Sequence, residues 1–114
     1  MNLVLVTGSR DWKDEKSIYS ALKNEPRDTV VLQGGAFGAD FMAKQSATAL
    51  GFHSLTMPAL WGFHGKKAGP IRNRTMLDLK PVKVLAFRRN MSRGTTDCIE
   101  EAQRRGIPVE IFES

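Results

Sequence analysis

The chain holds 114 residues, with 17 Lys and Arg against 12 Asp and Glu, for a formal net charge of +5. At this length about two-thirds of the extended surface can be buried on folding, enough for one core and not for two, so residues 1–114 are read as a single domain. A hydrophobic share of 41% argues against disorder, and apolar runs such as LVLV at 3–6 and VKVLAF at 82–87 fall far short of the roughly 20 residues of a membrane span. No leader pattern opens the chain, so a cytoplasmic protein with no membrane partner is expected.

NLVLVT at 2–7 is a short branched run that stops at Gly8, as a buried parallel strand does before a ligand-facing turn. Asp14 precedes a helix with Ile18 and Leu22 on its apolar face, closed before Pro26. TVVLQ at 29–33 is the second strand; GGAFGAD follows at once, then a helix in which Phe41, Ala43, Ala47 and Leu50 suit close packing, ended by Gly51. FHSLTM at 52–57 alternates, which suits a strand near the sheet edge. Residues 58–69 combine Pro and Gly with Trp61, Phe63 and His64 and read as a long loop. A third helix begins at Pro70, with Ile71, Thr75 and Leu79 in a row beside Met76. VKVLAF is a central strand, RRNMSRG a basic loop, TTDCIEEAQRR a helix closed by Gly106, and VEIF a last strand. Five strands alternating with four helices predict an α/β fold: a compact, Rossmann-like, three-layer domain around a mostly parallel five-stranded sheet.

In such a sheet the ligand crevice lies beyond the carboxyl ends of the strands. Three glycine-bearing exits fall there: Gly8-Ser9-Arg10, the loop with Gly34, Gly35, Gly38 and Asp40, and Ser92-Arg93-Gly94-Thr95-Thr96-Asp97. Glycine lets main-chain amides approach an anion, and a helix N-terminus adds partial positive charge. Neither G-x-G-x-x-G nor a Walker A sequence is present, so dinucleotide-fingerprint and P-loop assignments fail by motif.

Arg10, Arg72, Arg74 and either Lys66 or Lys67 are candidate phosphate contacts. Two positions apart on a helix, Arg72 and Arg74 cannot share one line, so one should face the pocket and the other a salt bridge or solvent. Arg88, Arg89 and Arg93 surround the fourth strand's exit, and Asn73 can hydrogen-bond a loop or ligand. Trp61 can stack on a base or fill the core, whereas Phe63 reads as core. His64 can donate, act as an acid or latch its loop; His53 reads as structural. Asp40 and Asp97 stand at helix starts, where a carboxylate caps amides or contacts a ribose hydroxyl. Cys98, the one cysteine, excludes an intramolecular disulfide and reads as packing; with two isolated histidines, no metal site is expected.

VTGSRDW at 6–12, VVLQGGAFGAD at 30–40, WGFHGKKAGPIRNRTM at 61–76, SRGTTD at 92–97 and GIPV at 106–109 together resemble the DprA/lysine-decarboxylase-like Rossmannoid (SLOG) superfamily, and within it the YspA-related branch. The resemblance implies a bacterial or phage domain whose glycine loops bind a nucleotide or nucleotide-derived phosphorylated ligand, in sensing or processing; NAD-derived and ADP-ribose-like molecules fall within that class. Ligand contacts are expected from Gly8, Ser9, Arg10, Gly34, Gly35, Gly38, Asp40, Trp61, His64, Lys66, Arg72, Asn73, Ser92, Gly94 and Thr95.

The superfamily includes phosphoribohydrolases that cleave the N-glycosidic bond of a nucleoside monophosphate. Their arginine corresponds to Arg72 or Arg74 and their phosphate loop to Gly94-Thr95, but the position of their catalytic glutamate is Cys98 here, with Asp97 beside it. Hydrolysis, with Arg72, Arg74 and Asp97 as catalytic candidates, is therefore one alternative. Single-stranded nucleic-acid binding and a protein-interaction role are others. Relatives pair, so a homodimer is also expected.

Overall fold

The computed structural model describes all 114 residues. Its five strands are β1 (Asn2–Gly8), β2 (Thr29–Gln33), β3 (His53–Thr56), β4 (Lys83–Arg88) and β5 (Val109–Glu113). The helices are α1 (Glu15–Leu22), α2 (Ala39–Leu50), the single turn α3 (Trp61–His64), α4 (Ala68–Asp78) and α5 (Arg93–Arg104). All strands run parallel in the order β3-β2-β1-β4-β5. The strand order reverses at β1, where the chain crosses from the β3 edge to β4, and the exits of β1 and β4 part around a crevice there.

Alternation along β1 assigns the layers. Val4 and Val6 join Ile18 and Leu22 of α1 and Ala39, Ala43 and Ala47 of α2 on one face. Leu3 and Leu5 join Met76 and Leu77 of α4 and Cys98 and Ala102 of α5 on the other. The central strands are apolar toward both layers, which is why they read as unbroken runs. Trp12 fills the end of the first layer, edge-on to Phe87 with ring centroids 5.5 Å apart.

Five expectations are corrected. Residues 58–69 are mostly not loop: α3 and a 3-10 turn at Gly65–Lys67 lead directly into α4, which starts at Ala68. Phe63 is 83% exposed and Phe41 54% exposed. α2 lies close on the sheet through its alanines, so Phe41, two positions from both Ala39 and Ala43, points outward. On α4 the buried row is Gly69, Asn73, Met76 and Leu77, and Ile71, Thr75 and Leu79 form the outer row. His53, at the edge strand, is exposed.

Candidate functional site

Gly8 ends β1 where a Cβ would strike the Ala39 side chain and the Phe87 carbonyl, so only glycine lets α2 and β4 close on this exit. Ser9, 2% exposed, then ties two loops together. Its hydroxyl accepts the Arg89 amide at 2.8 Å and pairs with the Ser92 hydroxyl at 2.8 Å, and Ser92 donates to Thr95 Oγ1 at 2.9 Å. Gly38, at φ 74°, seats against the Ser9 and Arg10 carbonyls.

At the β2 exit the buried Gln33 acts as a brace. Its Oε1 accepts the Gly35 amide at 2.6 Å and its Nε2 donates to Thr56 Oγ1 at 2.5 Å. Gly34 leaves room for the guanidinium of Arg72, which reaches back from α4 and donates to the carbonyls of Gly34 at 2.9 Å and Met57 at 3.5 Å. Arg72 Nε donates to Asn73 Oδ1 at 3.0 Å. The buried Asn73 in turn donates to the Gly94 carbonyl and to Asp97 Oδ2, each at 3.3 Å, so α4 and the start of α5 are joined by one side chain.

Asp40, 5% exposed, sits in the first turn of α2. Burial pushes its carboxyl up to about 6, against the Ala36 and Gly34 amides and the charges of Arg72 and Arg10, which act the other way. α5 opens with Thr96 N–H to the Ser92 carbonyl at 3.0 Å, so the amides of Arg93, Gly94 and Thr95 have no intrahelical acceptor. Nothing stands within 4 Å of where a Cβ on Gly94 would be.

These exits enclose a cavity of about 510 Å³. Of the expected ligand residues, Gly8, Ser9, Arg10, Asp40, Trp61, Lys66, Arg72, Asn73, Ser92, Gly94 and Thr95 line it, as does Asp97. Arg10 lies over the Trp61 ring, 5.9 Å from its centroid, and that ring rests on Gly69. Gly34 and Gly35 line an adjoining cavity of about 360 Å³ that shares Arg10, Ala36, Trp61 and Arg72 with the first. His64 lies apart, edge-on to Phe63 and beside Ile71 and Thr75. Arg74 turns to Glu101 at 3.7 Å, Arg88 pairs with Glu113, and Arg89 donates to the Asp11 carbonyl at 3.1 Å.

Thr7, Ala36, Gly69, Pro70 and Arg93 also line the larger cavity and were not among the expected contacts. Arg93 has a legible signal, its place between Ser92 and Gly94; Gly69 has none, because its role is to leave room for the edge of the Trp61 ring. Cys98 is packed under the site, its thiol pushed up to about 12 by burial, so it is neither nucleophile nor acid at neutral pH.

DprA from Streptococcus pneumoniae superposes with a TM-score of 0.65 at 17% identity, over 98% of this chain and 59% of that one, a likeness of Rossmann-like fold alone. Gene 61 protein of Mycobacterium phage D29 is 43% identical over 123 residues, covering 98% of this chain and 97% of that protein. The family model described as YspA, cpYpsA-related SLOG matches residues 3–64, which carry the first two glycine exits and the Trp61 turn. By that match, this chain belongs to the YspA, cpYpsA-related SLOG family.

Proposed function

We propose that the chain binds a nucleotide or nucleotide-derived phosphorylated ligand in the larger cavity, as a sensor or processing component. The observation that carries this reading is the convergence of the Arg93, Gly94 and Thr95 amides with Arg10, Lys66 and Arg72 around one concave space. Amides and forked guanidinium groups are what a phosphate takes up, and the α5 dipole adds to them. Trp61 offers a face for a base. The adjoining cavity, joined through Arg10, Ala36, Trp61 and Arg72, gives room for a longer ligand of the NAD-derived or ADP-ribose-like kind.

Two observations favour this over the alternatives. Arg74, Arg88, Arg104 and Arg105 are engaged by Glu101, Glu113 and Asp78, so the basic residues do not make a continuous free track for a single strand. The inert Cys98, at the place of the hydrolases' glutamate, favours binding without turnover.

Native mass spectrometry and calorimetry with nucleoside monophosphates, NAD, ADP-ribose and short single-stranded DNA test the reading. Saturable small-ligand binding is expected, reduced by at least about tenfold in Gly94→Asp, which sets a carboxylate among the amides. Tight, salt-sensitive DNA binding with no small-ligand binding would overturn it. A product assay for free base and sugar phosphate separates binding from hydrolysis.

A further inference from the structure

Asp40 is chemically out of place in a pocket suited to phosphate. It is an acid, almost fully buried, in the wall of a cavity whose charged lining is otherwise Arg10, Lys66, Arg72 and Arg93 with one further acid, Asp97. A carboxylate there repels the very group the cations attract. The chain's own needs account for only part of it: Asp40 stands in the first turn of α2, where a carboxylate suits the helix N-terminus, and holds the loop before it through the Ala36 amide. The residue at the α2 N-cap is Gly38, and the ion pairs of this chain use Asp28, Glu101, Glu25, Glu113 and Asp78 instead. Arg72 and Arg10 reach Asp40 only through space. The Ala36 amide donates to Oδ2 at 3.3 Å and the Gly34 amide is a second, weaker donor, which still leaves lone pairs free on a group that lines the cavity. The lone pairs left on this carboxylate face the cavity and can take a donor from a ligand.

We infer that Asp40 receives the vicinal hydroxyls of a ribose, and so makes the site selective for ribonucleotides over 2′-deoxyribonucleotides. This rests on the phosphate-binding reading of the same cavity. Two carboxylate oxygens side by side match two adjacent O–H donors, and the ribose diol is the donor pair shared by every ribonucleotide whatever its base. Asp40 also stands at the right point in the cleft. Its partner Ala36 belongs, with Arg10 and Arg72, to the wall common to both cavities, between the α5 amides and the adjoining compartment. A sugar links phosphate to base at such a point. Hydrogen-bonding sites of this kind reject the analogue that lacks the hydroxyl, because the buried acceptor is then left unpaired.

The probes are the four common ribonucleoside 5′-monophosphates and their 2′-deoxy counterparts, with ribose 5-phosphate and 2-deoxyribose 5-phosphate as base-free controls, measured by calorimetry on the full chain. The ribo form should bind at least about tenfold more tightly than its deoxy partner. In Asp40→Ala that ratio should fall below about twofold, through loss of ribo affinity, with deoxy affinity kept or improved as a buried negative charge leaves. Asp40→Asn retains an acceptor for the Ala36 amide, guards against a folding defect, and should give an intermediate ratio. The ratio should also decline as the solution is taken from pH 7.5 to 5, as Asp40 takes up a proton near 6. Arg10 from the β1 exit, Arg72 from α4 and Cys98 from α5 neighbour the group, and Lys66, Arg93 and Asp97 line the same cavity. The ligand phosphate titrates in the same range but equally for both sugars, so the ratio isolates the carboxyl. Equal wild-type affinity for the two sugars, or a ratio that survives in Asp40→Ala, would overturn the inference and leave phosphate binding standing. Failure of every phosphorylated probe would remove the phosphate reading and this inference together.

Discussion

Asp40 costs the fold something whether or not a ligand is present. Its pKa rises from 3.8 to about 6 on folding, so the neutral form is the one the folded chain favours. That contribution is fully present below about pH 4 and is lost as the pH rises through 6. Asp40→Asn should therefore be more stable than the parent at pH 7.5 by about 2–3 kcal/mol, with the gap closing toward pH 4, as urea unfolding at several pH values would read. Two glycines make the complementary contrast. A Cβ at position 34 runs into the Arg72 guanidinium, so Gly34→Ala should lose about 1–3 kcal/mol and weaken binding together. At position 94 the space is open and the residue lies in the first turn of α5, so Gly94→Ala should raise stability by up to about 1 kcal/mol. Thermal melts with and without ligand would distinguish the two.

Among the elements, α4 does the most to assemble the cleft, and its sequence is the least legible. Its inward row gives two positions, Gly69 and Asn73, to the site, while Ile71 and Leu79 lie 37% and 46% exposed on the outside. A hydrophobic row read from sequence thus picks the wrong face, because the inward side was given to polar bridging and to the Trp61 contact. The same competition hid α3: a segment with three glycines between residues 58 and 69 reads as loop, though it turns helically to bring Trp61 over Gly69. β1, β2 and β4 were plain, being buried on both sides, and the three exits were plain because their glycines follow those runs directly. What no spacing rule reveals is which cation is spent on the protein itself, as Arg74 is on Glu101. Asn73→Ala should cost about 1–3 kcal/mol, since Gly94 and Asp97 then lose a buried partner, and should raise amide exchange at the start of α5.

For the molecule as a whole, the net charge of +5 has a local rather than a global meaning. Several arginines are held by carboxylates, and the cations left at the cavity are few enough to serve one or two phosphates. Small-ligand affinity should then fall by less than about tenfold between 50 and 200 mM salt, against the roughly thousandfold or greater loss that a protein gripping 6–10 backbone phosphates suffers. Titration at the two salt concentrations checks this.

The β1–β4 pairing sets the order in which such a site can come into being. Val4 lies in register with Lys83 and Gly8 with Phe87, so strands neighbouring in the sheet are separated by most of the chain. Closing so long a loop is entropically slow, and only then do Ser9 and Ser92 meet. A chain emerging during synthesis holds the glycine exits of β1 and β2 well before it has a cavity. Occupancy of the cleft therefore reports that folding has been completed, and a ligand should draw partly folded molecules toward the finished state in proportion to its concentration over its dissociation constant.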